Sequence, residues 1–221
     1  MQKWVTRSFL MVIVAMCLAV FSTFVLAEEL LYEQTFDTGD TKSITKALLG
    51  RYEHYFLEES PGGLDKPMWS IEDGALVFKR YNTVAFGTMW LGDAEWENYR
   101  VEMRFRVDEY GDYGTVQLGW YADSKNSYRL VMYGPRYYID KHDNGGVSAI
   151  HGVPEGQIEF PAGQFRDVVV EVSGSTFKIY VDGKHIDTVE DPDGTNTKGG
   201  IVVQGANAGV SIDYIRVYSN D

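Results

Sequence analysis

One cysteine in 221 residues, Cys17, leaves no disulfide to brace a fold and no cysteine pair for a metal. Basic side chains are also scarce, 20 against 32 acidic ones. That balance argues against nucleic acid and anionic membrane surfaces as partners. No phosphate-binding glycine loop, serine nucleophile elbow or transition-metal ligand spacing occurs. The four histidines, His54, His142, His151 and His185, are dispersed, and each reads as a surface or turn residue. No long stretch carries helical periodicity, and there is no linker or internal repeat.

The exception to the polar character is the N-terminus. Lys3 and Arg7 precede an almost wholly apolar run from Phe9 to Leu26, and Val25-Leu26-Ala27 fits a small-residue cleavage site. This is a signal-peptide pattern, predicting export and a mature chain from Glu28. The alternative is an uncleaved membrane anchor, since the run is near the ~20 residues a span needs. Cleavage removes Lys3, Arg7 and Cys17, leaving 18 basic and 32 acidic side chains and a formal charge of −14. Residues 28–221 then suffice for one well-buried domain, secreted or extracytoplasmic and with no membrane contact.

What the chain does have is alternation. Val168, Val170 and Val172 fall on one side of a run ending at Ser173-Gly174-Ser175. Phe177, Ile179 and Val181 do the same before Asp182-Gly183. Period-two patterning with glycine turns predicts antiparallel hairpins, and a meander with one apolar face needs a second sheet to cover it. Further strands are expected at 31–37, 69–78 (a hairpin on Asp73-Gly74), 83–91, 99–108, 115–121, 128–133, 137–142, 147–150, 201–204 and 210–218. Residues 41–68 read as a long loop with one helical turn near 44–49. About a dozen short strands predict an all-β jelly-roll sandwich. Parity breaks between Ile212 and Ile215, which predicts a bulge near Asp213.

Trp69…Glu72-Asp73-Gly74-Ala75-Leu76, Tyr99 to Phe105, Tyr180-Val181-Asp182-Gly183 and Ile212 to Tyr218 carry a resemblance. Across residues 30–218 the chain is similar to the concanavalin A-like lectin/glucanase superfamily. Its nearest likeness is to laminin-G-like and 3-keto-disaccharide-hydrolase-like secreted bacterial domains. That superfamily holds lectins, binding modules and glycosidases, so the resemblance implies fold more than activity. The laminarinase-type Glu-x-Asp-x-x-Glu strand is missing. The keto-disaccharide relatives would carry a glutamate at Arg104 and Asn-Ser-Gly at Asp112-Tyr113-Gly114. The resemblance also implies a structural Ca²⁺ joining the chain ends, held by Asp213 with Gly74 and Glu33, since oxygen-only ligands suit calcium.

Arg104, Gln117, Tyr121, Arg129, Tyr133, Tyr138 and His142 alternate against the expected core positions. Aromatic faces beside planar polar groups suit a sugar, so these residues are the expected ligand surface. The same pattern also fits a solvated sheet face with cross-strand aromatic pairs. Trp69, Trp96 and Trp120 read as core or hairpin anchors, and Trp90 is left open. The function expected is non-catalytic carbohydrate binding, with no catalytic residue assigned. A glycoside hydrolase or lyase acting on keto-disaccharides or polysaccharide, and an adhesive surface domain, stay open beside it.

Overall fold

The computed structural model describes residues 28–37, 69–80, 86–123, 125–152 and 158–220. The expected leader, the turn expected at 44–49 and His54 lie outside them. Among the described residues there are twelve strands, all paired antiparallel, and no helix. They are β1 (Leu30–Gln34), β2 (Trp69–Glu72), β3 (Ala75–Phe78), β4 (Phe86–Leu91), β5 (Tyr99–Ala122) and β6 (Ser127–Tyr133). β7 (Arg136–Asp143), β8 (Gly146–Gly152), β9 (Phe165–Ser173), β10 (Thr176–Val181), β11 (Lys184–Glu190) and β12 (Gly200–Ser219) follow.

Two long strands build both layers of the sandwich. The first half of β5 pairs β9 and the second half of β12, and β10, β11, β1, β3 and β2 complete that layer. The second half of β5 pairs β6 and the first half of β12, and β7, β8 and β4 complete the other. Sequence reading expects four strands where these two run on. Both bend together at one corner: Tyr110 pairs with Ala208 and Thr115 with Ala206, while residues 111–114 bulge outward. Asn207 Nδ2 donates to the Asp112 carbonyl at 2.6 Å across the bend. A Cβ on Gly114 would stand 2.5 Å from the Asn207 carbonyl oxygen, so the corner closes only over glycine.

On the inner side of the first layer, Val101, Met103, Phe105 and Val107 of β5 lie beside Val168, Val170, Val172, Phe177, Ile179 and Val181 of the meander's strands, all buried. From the opposite layer, Trp120 and Tyr128 meet the Phe177 ring at centroid distances of 5.0 and 4.6 Å. Each such side chain contributes about 1.5–3 kcal/mol by leaving water. Polar ties close the edges: Tyr128 Oη and Lys141 Nζ both donate to Asp191 Oδ2, at 2.7 and 2.6 Å. Tyr137 Oη and His151 Nε2 converge on Asp187 Oδ2, at 2.8 and 2.7 Å. The bulge expected beside Asp213 is present, as the register slips between Ile212 and Tyr214.

Candidate functional site

Strand parity places one polar row on the outer face of the second layer. Met89, Leu91, Val116, Leu118, Leu130, Met132, Ile139, Ile201 and Val203 fill the core. Their neighbours Thr88, Trp90, Gln117, Gly119, Ser127, Arg129, Asp140, His142 and Gln204 therefore point outward. Register then aligns them. Thr88 sits opposite Gln204 and Gln204 opposite Gln117; Gly119 sits opposite Arg129 and Arg129 opposite Asp140.

Hydrogen bonds join the row. Thr88 Oγ1 and Arg129 Nη1 both donate to Gln204 Oε1, at 3.0 and 2.7 Å. Arg129 Nη1 also reaches Gln117 Oε1 at 3.4 Å, and its Nε donates to Ser127 Oγ at 3.1 Å. The guanidinium can lie so far across the sheet because position 119 has no side chain. A Cβ there would stand 2.4 Å from Val202 Cγ1, 2.7 Å from the Tyr128 carbonyl oxygen and 3.1 Å from Arg129 Cγ.

Two connections at one end of the strands wall this row into a cleft of about 570 Å³. That is within the ~300–1,000 Å³ of small-molecule sites. In the β5–β6 connection Asp123 Oδ1 accepts the Lys125 and Asn126 amides at 2.6 and 2.7 Å, and Oδ2 accepts Asn126 Nδ2 at 2.9 Å. The β7–β8 turn, Asn144-Gly145, has φ of 48° and 89°, the two-residue hairpin form that keeps strand twist. Its Asn144 amide donates to Asn126 Oδ1 at 3.2 Å, so the two walls are fastened together. Trp90, half-buried, Arg129 and His142 line the cleft with them.

The electrostatics follow from partial burial beside one cation. Burial, then the Arg129 charge, depress His142 from 6.5 to about 4, so its imidazole is neutral at pH 7. Burial raises the Asp140 carboxyl while Arg129 opposes that shift. Asp123 is the one carboxylate lining the cleft among the described residues, and both its oxygens already accept bonds within its own loop.

Five of the seven residues expected at the ligand surface share this face: Gln117, Arg129, Tyr133, Tyr138 and His142. Of these, Arg129 and His142 line the cleft, and Gln117 bonds to Arg129. Tyr133, under the Arg136 guanidinium at 5.5 Å, and Tyr138 lie farther along the strands. Two placements are corrected. Tyr121 is core, 1% exposed and edge-on to Tyr99 at 5.7 Å, because φ of 47° breaks the alternation after Trp120. Arg104 is on the other layer, since β5 runs through both; it pairs with Asp167 at 2.8 Å and Asp213 at 3.3 Å. Thr88, Ser127 and Gln204 are not among the expected residues and Trp90 is left open by the sequence, though the alternation Thr88-Met89-Trp90-Leu91 already places Thr88 and Trp90 outward.

The expected calcium ligands do come from neighbouring strands, as β12 pairs both β1 and β3. Two of the carboxylates among them already have partners. Glu33 Oε1 accepts Arg216 Nε at 2.7 Å and Asp213 meets Arg104, so each carboxylate already faces a guanidinium. Beside Gly74 it is Asp37 whose carboxylate comes near. No group of three His, Cys, Asp or Glu side chains converges among the described residues.

Solved structures share the architecture. The carbohydrate-binding module CBM66 of Bacillus subtilis superposes with a TM-score of 0.58 at 16% identity, over 68% of this chain and 91% of the module. The Bacillus licheniformis β-glucanase gives 0.61 at 11% identity, over 87% and 99%. The laminarinase catalytic domain of Thermotoga petrophila gives 0.54 at 17%, over 88% and 99%. These are likenesses of fold, and they confirm the concanavalin A-like jelly roll. No curated protein sequence matches the chain. A family profile matches residues 44–218, and by that match the chain belongs to the 3-keto-alpha-glucoside-1,2-lyase-like domain family.

Proposed function

We propose that this is an exported domain that binds carbohydrate in the cleft beside Trp90. The observation carrying the reading is one aromatic side chain set beside a hydrogen-bonded row of Gln204, Arg129 and Thr88, walled by asparagines. An apolar ring face meets the C–H side of a sugar, and planar donors and acceptors at fixed spacing meet its hydroxyls. The row is already tied in place, so little side-chain freedom is lost on binding. Hydrolysis by paired carboxyls needs two of them flanking the bond, and the only cleft carboxylate among the described residues braces a loop. Trp90→Ala should abolish binding on a glycan array while leaving the melting temperature within a few degrees. Retention of binding by that variant overturns the assignment. Export rests on the leader pattern of residues 1–27 and is checked by N-terminal sequencing of the protein from its host.

A second reading is favoured by His142. Its imidazole lines the cleft with Arg129, and an imidazole ring nitrogen can accept a proton. Eliminative cleavage of a keto-disaccharide would use it as the base. Product formation from a 3-keto-disaccharide, lost in His142→Gln, would establish that reading over simple binding.

A further inference from the structure

We infer that the cleft beside Trp90 takes an acidic sugar, a uronic acid whose carboxylate meets the Arg129 guanidinium and the Gln204 amide nitrogen. This rests on the carbohydrate reading above and names the class of sugar. Hydrogen-bond polarity carries it. A guanidinium has donors and no acceptor, so the two glutamines that Arg129 touches must turn their oxygens toward it. Gln204 Oε1 accepts Arg129 Nη1 at 2.7 Å and Thr88 Oγ1 at 3.0 Å, which fixes that amide with its oxygen spent. Gln117 Oε1 also accepts Nη1, at 3.4 Å, and its Nε2 donates to Thr115 Oγ1 at 3.3 Å. Gln204 Nε2 has no partner among the described residues, so its two N–H groups are what that amide offers the cleft.

Other oxygens around the floor are used in the same way. Ser127 Oγ, on a residue 2% exposed, accepts Arg129 Nε, and Thr88, 4% exposed, spends its proton on Gln204. Asp123 accepts bonds within its own loop through both oxygens, and Asn126 Oδ1 accepts the Asn144 amide. What the cleft presents is therefore mostly N–H: Gln204 Nε2, the guanidinium and the ammonium of the exposed Lys125. A sugar hydroxyl brings a proton to each contact, and few oxygens are left to accept it. The Asn144 amide oxygen and the His142 ring stay for the hydroxyls of one ring. A carboxylate brings two oxygens and no proton, which is the complement of the floor. Charge agrees without deciding the matter. Asp140 faces Arg129 from β7 and shares its charge, while Lys125 adds a second cation. The chain's 32 acidic against 20 basic side chains repel a long polyanion. That field is screened beyond about 10 Å in 0.1 M salt, so the local donors select a single acidic unit.

The test titrates the exported chain by calorimetry, at pH 7 in about 0.15 M salt, with short oligosaccharides of glucuronic, galacturonic and mannuronic acid. Each is matched by its methyl ester, by its carboxyl-reduced neutral counterpart, and by that counterpart carrying a sulfate ester at the same carbon. Neutral xylo- and fructo-oligosaccharides run alongside. One acid series should bind at least about tenfold more tightly than its ester and its neutral counterpart, the size expected of one or two charge-assisted hydrogen bonds. Gln204→Glu keeps an oxygen for Arg129 and Thr88 but replaces the Nε2 donors with a second acceptor. It should keep the melting temperature and weaken the acid at least tenfold, leaving the neutral counterpart within about threefold. Full affinity of that variant for the acid overturns the placement on Gln204. Neutral sugars that bind as tightly as the acids overturn the acidic class and leave carbohydrate binding intact. Sulfate esters that bind more tightly than the acids overturn the carboxylate. Failure of every sugar to bind overturns the carbohydrate reading, and this inference with it.

Discussion

Replacing Asp191 by alanine removes the centre of a buried charged tie between the layers. Asp191 is 4% exposed, and its Oδ2 accepts both Lys141 Nζ at 2.6 Å and Tyr128 Oη at 2.7 Å. Its Oδ1 accepts the Asp193 amide at 3.1 Å, holding the start of the crossover into β12. Burial pushes the Asp191 carboxyl up, but the bonds from Lys141, Tyr128 and Asp193 together outweigh it and hold the group below its ordinary range. Without the carboxylate an ammonium whose side chain is only 12% exposed loses its counter-charge. Breaking a buried pair from one side costs about 3–5 kcal/mol, mostly the stranded charge. For a domain of this size each kcal/mol moves the melting temperature by roughly 2–4 °C, so a fall of about 6–20 °C is expected. Calorimetry or urea unfolding measures it. Adding Lys141→Met to Asp191→Leu, with Tyr128→Phe, should recover most of the loss, because nothing charged is then left buried. A single-mutant loss under about 1 kcal/mol, or a triple mutant no better than the single, would refute this account of the tie.

Other expectations concern the site and the calcium expected from the resemblance. His142, depressed to about 4 in the fold against 6.5 unfolded, binds fewer protons folded than unfolded, so stability is full above pH 6.5 and declines as pH falls toward 4. The decline is at most about 3 kcal/mol, and it should be lost in His142→Gln, so that the difference between wild type and that variant carries it across pH 4–7. Chelation should leave the melting temperature unchanged, since Glu33 and Asp213 already face arginines; a fall of several degrees with EDTA, restored by calcium, would reinstate the metal.

Most of the fold was legible because alternation over five or more residues survives packing: β9, β10 and the first half of β5 follow it residue by residue. It misleads where the backbone leaves the extended region. Nothing in Trp120-Tyr121-Ala122 announces φ of 47° at Tyr121, so alternation sends that ring outward while the fold buries it against Tyr99 and Tyr128. The merging of expected strands at 99–108 and 115–121 is hidden for a related reason. The residues between them include Gly111 and Gly114, which make a corner that keeps its partner strand.

That corner also explains why the ligand face could be read only in part. Arg104 and Gln117 lie on one strand and each alternates with buried neighbours, yet the bend between them puts Arg104 on one layer and Gln117 on the other. Their surroundings then diverge. Arg104 stands between Asp167 and Asp213, and its guanidinium lies 5.2 Å from the Phe165 centroid, in a lattice of ion pairs. Gln117 stands beside Arg129, whose guanidinium meets amide and hydroxyl oxygens. An arginine between two carboxylates is satisfied by charge; one bonded to amides and hydroxyls at a cleft floor is placed where a ligand's oxygens can compete for it. The distinction depends on the register that brings Gln204 of β12, 75 residues away in sequence, within 2.7 Å of Arg129. Local pattern gives the face of each strand, but which strands lie side by side decides which of those faces becomes a site.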